Sequence, residues 1–359
     1  GNIDDVVHTY DLYQIFTGEV SGGNISAPTS TSDITKIGWA MSGEKLTNIK
    51  AAIKGLVSPS ADIEDTPAAY AKAITIWASG NADNAKELAQ LLGDNLSNLV
   101  KVNETSSNEI ECTADGYYLI VENTETAGLD ASKTYHLLGT YDKDTGADIY
   151  VKASKPTVEK KVKEDDTDNW NENDGYNDVA DYTIGEPVPF KLTATLSSDI
   201  GVYDKYYVKF TDNLGKGFVA PTAFTINIGE TKSETVTSLT NNEYVSQDGN
   251  IKVTTNTDAT NGTTITIEIF NVRKYDTAEN KIENDDVITV EYNAILDSDA
   301  VIGKVGNYND VDLTYSNNPN NTGNGTSAPS NDDLGKTDKD GVVVFTYQLD
   351  VKKYDGVGI

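Results

Sequence analysis

Between residues 155 and 315 the sequence consists of short runs rich in valine, isoleucine, threonine, tyrosine and phenylalanine, with asparagine, aspartate and glycine between the runs. Clear examples are residues 206–210, 263–270, 287–292 and 311–315. Residues of the first kind favour strands, and residues of the second kind favour turns. Because helical spacing of apolar residues is absent here, the pattern predicts an all-β sandwich.

The first part of the chain combines strands with helical spacing. Residues 10–16 and 116–121 have the apolar pattern of strands. Thr66 suits the N-cap of a helix, and Pro67 suits its first turn. Apolar residues then recur at helical spacing in two stretches, one ending near Gly80 and one near Gly93: Tyr70, Ile74 and Trp77, then Ala85, Leu88, Ala89 and Leu92. We therefore predict strands around a short helical insertion.

A stretch rich in asparagine, glycine, serine and proline, residues 317–331, interrupts the strand pattern. Such composition is typical of a long loop near a domain edge. Residues 342–353 form one more strand-like run shortly before the last residue, Ile359. A final strand of this kind suggests a truncated further domain or a strand donated to a neighbour.

The charge balance argues against several classes of partner. The 359 residues include 28 Lys and Arg against 57 Asp and Glu, a net charge of −29, which repels nucleic acid and anionic membrane surfaces. We expect neither a transmembrane helix nor a signal peptide, since no apolar run has the required length or flanks. The single cysteine, Cys112, cannot form a disulfide within the chain or a cysteine-based metal site.

Motifs of common enzymes are missing from the sequence, including the P-loop, the G-x-S-x-G elbow and the H-E-x-x-H zinc motif. The two histidines, His8 and His136, favour surface or structural roles. Acidic residues 164–178 contain oxygen ligands that calcium could use, but their glycine is misplaced for an EF-hand loop. We therefore expect a solvated loop there, no metal and no cofactor.

Three polar residues fall on the apolar faces of predicted strands. Because side chains alternate along a strand, Lys160 lies on the same face as the valines at 158 and 162. By the same count Asp212 shares a face with residues 208 and 210, and Asn309 with residues 311, 313 and 315. A lysine, an acid and an asparagine could therefore meet inside the sandwich. The alternative is that each of them is an edge or turn residue.

Burial of these three groups would change their protonation. A charge without a partner in the core is costly, so we expect Lys160 as a neutral amine with a lowered pKa and Asp212 as a protonated acid with a raised pKa. A neutral amine can attack the amide carbon of Asn309 while the acid polarises the carbonyl and transfers protons. The products would be ammonia and a Lys–Asn isopeptide bond.

The sequence resembles the backbone subunits of sortase-assembled pili of Gram-positive bacteria along nearly its whole length. The segments that carry the resemblance are YDLYQIFTG at 10–18, GYYL at 116–119, YVK at 150–152, PTVEKKV at 156–162, GEPVPF at 185–190, FTDNLGKG at 210–217 and YSNNP at 315–319. The resemblance implies a mainly β fold of tandem immunoglobulin-like sandwiches of the collagen-adhesin (Cna) type. It divides the chain into a B-type-like domain with a helical insertion at 1–152, an A-type-like sandwich at 153–338 and the first strand of a truncated third domain at 339–359.

The resemblance also assigns roles to the three inward-facing residues. Lys160, Asp212 and Asn309 correspond to the crosslinking lysine, the acid and the asparagine of the middle domain. If the register differs by a turn or a bulge, the alternatives are Lys161, Asn307 and Asn317.

Two further lysines have counterparts in the family. Lys152 lies where the pilin-motif lysine is joined by a sortase to the next subunit, although Val151 stands where proline is usual. Lys155, in the same segment, is the second candidate for this linkage. Lys353 corresponds to the crosslinking lysine of a third domain, whose asparagine, acid and sorting signal are not found in this sequence.

The resemblance implies a structural protein and not an enzyme: a shaft subunit of a covalent, cell-wall-anchored pilus on the outer cell surface. Its expected partners are identical subunits in a head-to-tail polymer, a pilus-specific sortase, minor pilins and host ligands. One alternative is a surface adhesin or tip pilin that binds a host ligand. Another is a carbohydrate-active enzyme, although no carboxylate pair stands out among the 57 acidic residues.

Overall fold

The structure is a computed structural model that describes residues 9–20, 34–80, 84–106, 110–122, 135–141, 155–164, 175–198 and 200–348. The chain forms two compact units, one made of Gly1–Ala153 with Asn317–Asn320 and the other of Ser154–Ser316 with Asn321–Ile359. Strands dominate the described residues, which confirms the predicted mainly β fold.

The first unit contains a five-stranded antiparallel sheet. Its strands are β1 (Tyr10–Val20), β2 (Ile34–Trp39), β3 (Val100–Thr105), β4 (Gly116–Glu122) and β5 (Tyr135–Tyr141). They follow the order β2-β1-β4-β5, and β3 also pairs with β1. The long strand β1 is therefore the centre of this sheet.

Helices of the first unit contribute to the same core as its sheet. They are α1 (Gly43–Val57), α2 (Pro67–Ala78) and α3 (Asn84–Gly93). The two predicted helices are confirmed, and the Thr66 side chain caps α2 by accepting a hydrogen bond of 3.2 Å from the Ala69 N–H. Helix α1 was not predicted, although its buried Ile49 and Ile53 lie one turn apart. No helix in the described ranges is long and apolar enough to cross a membrane.

The second unit is a sandwich of two sheets. Its strands, in chain order, are β6 (Thr157–Lys163), β7 (Tyr176–Asn177), β8 (Val179–Asp181), β9 (Pro187–Thr195), β10 (Val208–Leu214), β11 (Phe218–Val219), β12 (Phe224–Ile228), β13 (Lys232–Val236), β14 (Glu243–Val245), β15 (Ile251–Asp258), β16 (Gly262–Ile269), β17 (Val287–Leu296), β18 (Asn307–Ser316), β19 (Leu334–Lys336) and β20 (Asp340–Phe345). One sheet has the order β13-β12-β17-β9-β6-β7, with β11 beside β17. The other has the order β14-β15-β16-β10-β18-β20-β8, with β19 beside β18.

Alternating side chains of the two sheets form the core of the sandwich. In β10 every second residue is buried, and β9 shows the same alternation. Because alternate side chains point to opposite faces of a sheet, each sheet presents one apolar face to the other. Among the residues that meet there are Phe190, Leu192, Phe210, Ile265 and Val290.

Strand β20 differs from the predicted division of the chain, which assigns residues 339–359 to a third domain. It pairs antiparallel with β18 and parallel with β8, so the described part of this segment belongs to the second sandwich. Val342 and Val344 fill its core. The predicted strand over residues 342–353 is confirmed only as far as Phe345, since residues 346–348 are not in a strand. Local alternation does not specify which strand will be the neighbour. Residues 349–359 lie outside the described residues, so a third-domain strand there remains a prediction.

Candidate functional site

Lys160 lies in the interior of the second sandwich. It belongs to β6, and the whole residue is 0% exposed to solvent. Its Nζ lies 5.4 Å from the ring centroid of Phe190 and 5.6 Å from that of Tyr292. Its backbone N–H donates to Asp340 Oδ2 at 2.6 Å, which holds β6 against the strand that begins at Asp340. The amine is therefore surrounded by aromatic side chains and removed from solvent.

Lys161, the alternative to Lys160, points the other way. Its Nζ lies 2.6 Å from Asp178 Oδ1 and 3.1 Å from Glu159 Oε1 at the partly exposed face of β6. This follows from strand alternation, because adjacent residues of a strand face opposite sides. The structure therefore brings Lys160, and not Lys161, to the other two predicted residues.

Asp212 lies in the middle of β10, between β16 and β18. It is 0% exposed, and its Oδ2 is 2.6 Å from Lys160 Nζ. The alternative interpretation of Asp212 as a turn residue does not apply, since β10 continues to Leu214. The carboxyl of one sheet thus contacts the amine of the other inside the sandwich.

Asn309 lies in β18 on the same face as Asp212. It is paired with Leu214, while Val311 is paired with Asp212, so the asparagine and the aspartate are diagonal neighbours. Asn309 is 1% exposed. The alternative Asn307 has other partners, because its carboxamide accepts from the Val301 N–H and donates to the carbonyls of residues 301 and 344. The alternative Asn317 follows the end of β18 at Ser316.

Tyr292 connects the three predicted residues and was not predicted. Its hydroxyl donates to Asp212 Oδ2 at 2.7 Å, and it accepts from Asn309 Nδ2 at 2.8 Å and from Lys160 Nζ at 3.3 Å. The sequence contained a signal for Tyr292, since residues 288, 290, 292, 294 and 296 lie on the same, buried face of β17. A tyrosine on such a face needs a polar partner for its hydroxyl.

Burial controls the protonation of this site. Desolvation lowers the pKa of Lys160 and raises the pKa of Asp212, and it does so against their mutual attraction. Desolvation also raises the pKa of Tyr292 well above its usual value. The ion pair and the neutral pair differ only by one proton moving along the 2.6 Å contact between Lys160 and Asp212. Because burial favours the neutral pair, an unprotonated amine is available in the core.

Two carbonyl-type oxygens of the site are buried without a hydrogen-bond partner. They are Asp212 Oδ1 and Asn309 Oδ1, within the part of the chain that the structure describes. A buried oxygen left in this way is destabilising. A proton on the Asp212 carboxyl would give the site a hydrogen-bond donor for one of these oxygens. The arrangement therefore offers a nucleophilic amine, an acid and an amide carbon that can be polarised.

A second lysine, aspartate and asparagine meet on the outer face of the sandwich. Lys339 Nζ and Asn213 Nδ2 both donate to Asp310 Oδ1, at 2.9 and 2.7 Å. The side chains of Lys339 and Asp310 are 55% and 38% exposed. The hydrogen bond to Asp310 raises the pKa of Lys339, so this lysine keeps its proton and is not a nucleophile.

We expect this exposed group to remain unlinked. A protonated ammonium has no lone pair with which to attack an amide, and a solvated carboxylate does not donate a proton. Peptide mapping of the folded protein should recover Lys339 and Asn213 in separate, unmodified peptides. A peptide that joins them would contradict the argument that burial is what makes such a group reactive.

Several predicted positions lie outside the described residues. These are Lys152, Lys353, His8, acidic residues 165–174 and the side chain of His136. Lys155 is described and is exposed. The linkage roles assigned to Lys152 and Lys353 remain predictions.

Comparisons with known proteins give a likeness in structure. No protein-family model matches the chain, and no curated protein matches it. A backbone pilin of Streptococcus pyogenes is 16% identical over 96% of this chain and 62% of that chain, with a TM-score of 0.48. The major pilin of Bacillus cereus is 16% identical over 69% of this chain and 58% of that chain, with a TM-score of 0.38. A major pilin of Corynebacterium diphtheriae is 12% identical over 93% and 60%, with a TM-score of 0.38. The chain spans less than two thirds of the length of each.

Proposed function

We propose that this chain is a structural shaft subunit of a covalent pilus on the surface of a Gram-positive cell. In this proposal its second sandwich is stabilised by an isopeptide bond between Lys160 and Asn309, with Asp212 as the acid-base group. The observation that carries the proposal is the contact of 2.6 Å between two fully buried groups, Lys160 Nζ and Asp212 Oδ2, with the carboxamide of Asn309 joined to them through one hydroxyl. The sequence resemblance supplies the pilus context.

The crosslinking step balances without any added reactant. The neutral amine of Lys160 attacks the side-chain carbonyl carbon of Asn309, and a proton from Asp212 stabilises the oxygen of the tetrahedral intermediate. The bond from that carbon to Nδ2 breaks, and the departing nitrogen receives the proton that the amine loses. The products are a secondary amide and one ammonia molecule. Since each chain undergoes the step once, the chain is not an enzyme, and it needs no cofactor.

The position of the crosslink suits a subunit that carries tension. Lys160 is near the start of the second unit, in one sheet, and Asn309 is in the other sheet. A bond between them would transmit tension directly from one residue to the other, so the roughly 150 residues between them would not be stretched. Without the bond, packing alone would have to keep those residues folded under tension. The sheets are thereby joined at a point where strands would otherwise separate.

Subunits would be joined to one another through Lys152. In this proposal a pilus-specific sortase links its amine to the next identical subunit, so that the polymer is covalent and lies outside the cell. Minor pilins and host ligands are further proposed partners. The high negative charge of the chain is compatible with an exposed, soluble shaft surface.

A Lys152→Ala variant is expected to abolish the polymer in cells that produce the subunit with its sorting signal together with its sortase. An immunoblot of the released wall fraction should show a ladder of high-mass bands for the wild type and only the monomer for the variant. Lys155→Ala, which removes the neighbouring exposed lysine, is the matched control and should retain the ladder. A ladder that survives loss of Lys152 but not of Lys155 would move the linkage to Lys155, and a ladder that survives both would contradict a linkage in this segment.

A further inference from the structure

The hydroxyl of Tyr292 contacts each of the three groups that take part in the proposed crosslinking. It is 2.7 Å from Asp212 Oδ2, 2.8 Å from Asn309 Nδ2 and 3.3 Å from Lys160 Nζ. We propose that Tyr292 is a catalytic residue of this reaction, which passes the proton lost by the Lys160 amine to the departing nitrogen of Asn309. This inference rests on the proposed isopeptide bond and assigns it a second proton-transfer group.

The hydrogen-bond pattern shows why Asp212 alone does not complete the reaction. Among the described residues, its carboxyl contacts the amine of Lys160 and the hydroxyl of Tyr292, both through Oδ2. The nitrogen that must leave, Asn309 Nδ2, donates to the tyrosine hydroxyl. The hydrogen-bonded path from the carboxyl to the leaving nitrogen therefore runs through the phenol oxygen.

The proton transfer balances at each atom. As the amine of Lys160 bonds to the carbonyl carbon it becomes positively charged, and the protonated carboxyl of Asp212 gives its proton to the carbonyl oxygen. The positively charged nitrogen then gives one proton to Oδ2 of the Asp212 carboxylate. In the tetrahedral intermediate Nδ2 of Asn309 has a free lone pair, so the two hydrogen bonds reverse: the hydroxyl of Tyr292 gives its own proton to Nδ2 and receives the proton from the carboxyl. The C–N bond breaks, ammonia leaves, the oxygen returns its proton to Asp212 as the carbonyl re-forms, and both Tyr292 and Asp212 are back in their starting protonation.

Packing holds the phenol in the orientation that this path requires. The ring lies 5.4 Å from the ring of Phe190 and 5.6 Å from that of Phe224, centroid to centroid, and the residue is buried. Its pKa is raised by the same burial, so the hydroxyl is protonated and gives up its proton only as it receives another. A ring packed against two other rings and a hydroxyl with three reactive neighbours are the features of a positioned acid-base group.

The competing interpretation is that Tyr292 only fills the core. Tyr292→Phe separates the two, because it retains the ring and removes the hydroxyl. Tyr182→Phe is the matched control, since Tyr182 is also buried in this core and its hydroxyl donates to the Lys163 carbonyl at 2.6 Å, away from the reacting groups. Each full-length chain is made by cell-free synthesis, and the fraction that has lost ammonia is followed by intact mass against time.

We expect the wild type and Tyr182→Phe to crosslink at the same rate, and Tyr292→Phe to be slower by about 100-fold, within the range for a positioned proton-transfer group. Near-ultraviolet circular dichroism should show the same folded core in all three. A Tyr292→Phe chain that crosslinks at the wild-type rate overturns the inference and leaves the isopeptide bond intact. A wild-type chain that never loses ammonia overturns the proposed bond itself.

A second substitution covers the case in which Tyr292→Phe does not fold. Tyr292→His retains a group able to carry a proton at this position, whereas Tyr292→Leu does not. The histidine variant is expected to crosslink measurably faster than the leucine variant. Equal rates for the two would contradict a proton-carrying role for residue 292.

Discussion

A Lys160→Met variant is expected to unfold at a temperature about 10–20 °C below that of the wild-type chain. The proposed bond to Asn309 closes a loop of roughly 150 residues, and the chain-entropy relation for crosslinks gives about 5 kcal/mol for that length. A unit of this size shifts its midpoint by roughly 2–4 °C for each kcal/mol. Methionine fills the space of the lysine stem, and a protonated Asp212 keeps its hydrogen bond to Tyr292. The loss is therefore assigned to the crosslink and not to a cavity.

Lys161→Met is the matched control for this measurement. It makes the same chemical change one residue along β6, at a side chain that faces outward and pairs with Asp178. A partly exposed ion pair is worth little, so its midpoint should stay within about 2 °C of the wild type. Calorimetry of the three chains provides the comparison. If Lys160→Met also melts within about 2 °C of the wild type, no crosslink stabilises the second unit.

Asp212→Asn is expected to leave Lys160 and Asn309 side by side but unlinked. The amide has nearly the shape of the carboxyl, yet it cannot take the proton of the amine or supply one to the asparagine carbonyl. Loss of one such group slows a reaction by about 10²–10⁴-fold. Chains of this variant isolated soon after synthesis should therefore have the mass calculated for their own sequence, whereas the wild type should lie one ammonia below the mass calculated for its own.

Asp310→Asn is the control for this variant. It makes the same substitution in the exposed group with Lys339 and Asn213, on the other side of the same sheet. Its mass should show the same loss of ammonia as the wild type. Complete crosslinking in Asp212→Asn would show that Asp212 takes no part in the mechanism. Loss of crosslinking in Asp310→Asn would show that an exposed carboxyl is also required, which would contradict the argument that burial makes the acid reactive.

The fold was predictable where local pattern alone determines structure. Thr66 and Pro67 mark the start of α2, and the spacing of Leu88 and Leu92 marks α3. Helix α1 was missed although Ile49 and Ile53 have the same spacing, because Lys50, Lys54 and Gly55 beside them weaken the apolar pattern. The sheet that contains β20 could not be read from the sequence, since pairing depends on contacts distant along the chain.

The inward-facing positions of the site were predictable for a similar reason. Alternation along one strand is enough to turn Lys160, Asp212 and Asn309 into the core. It does not determine which residues of two facing sheets come into contact, and so Tyr292 was not identified. The hydroxyl between the three residues depends on how β17 lies against β10 and β18, which no local pattern records.

The most direct test of the account is the intact mass of the folded wild-type chain, followed by tandem mass spectrometry of its peptides. The account predicts a mass lower than that of the plain sequence by one ammonia molecule and a branched peptide in which Lys160 is bonded to Asn309. A mass equal to that of the plain sequence, with Lys160 and Asn309 recovered in separate peptides, would contradict it.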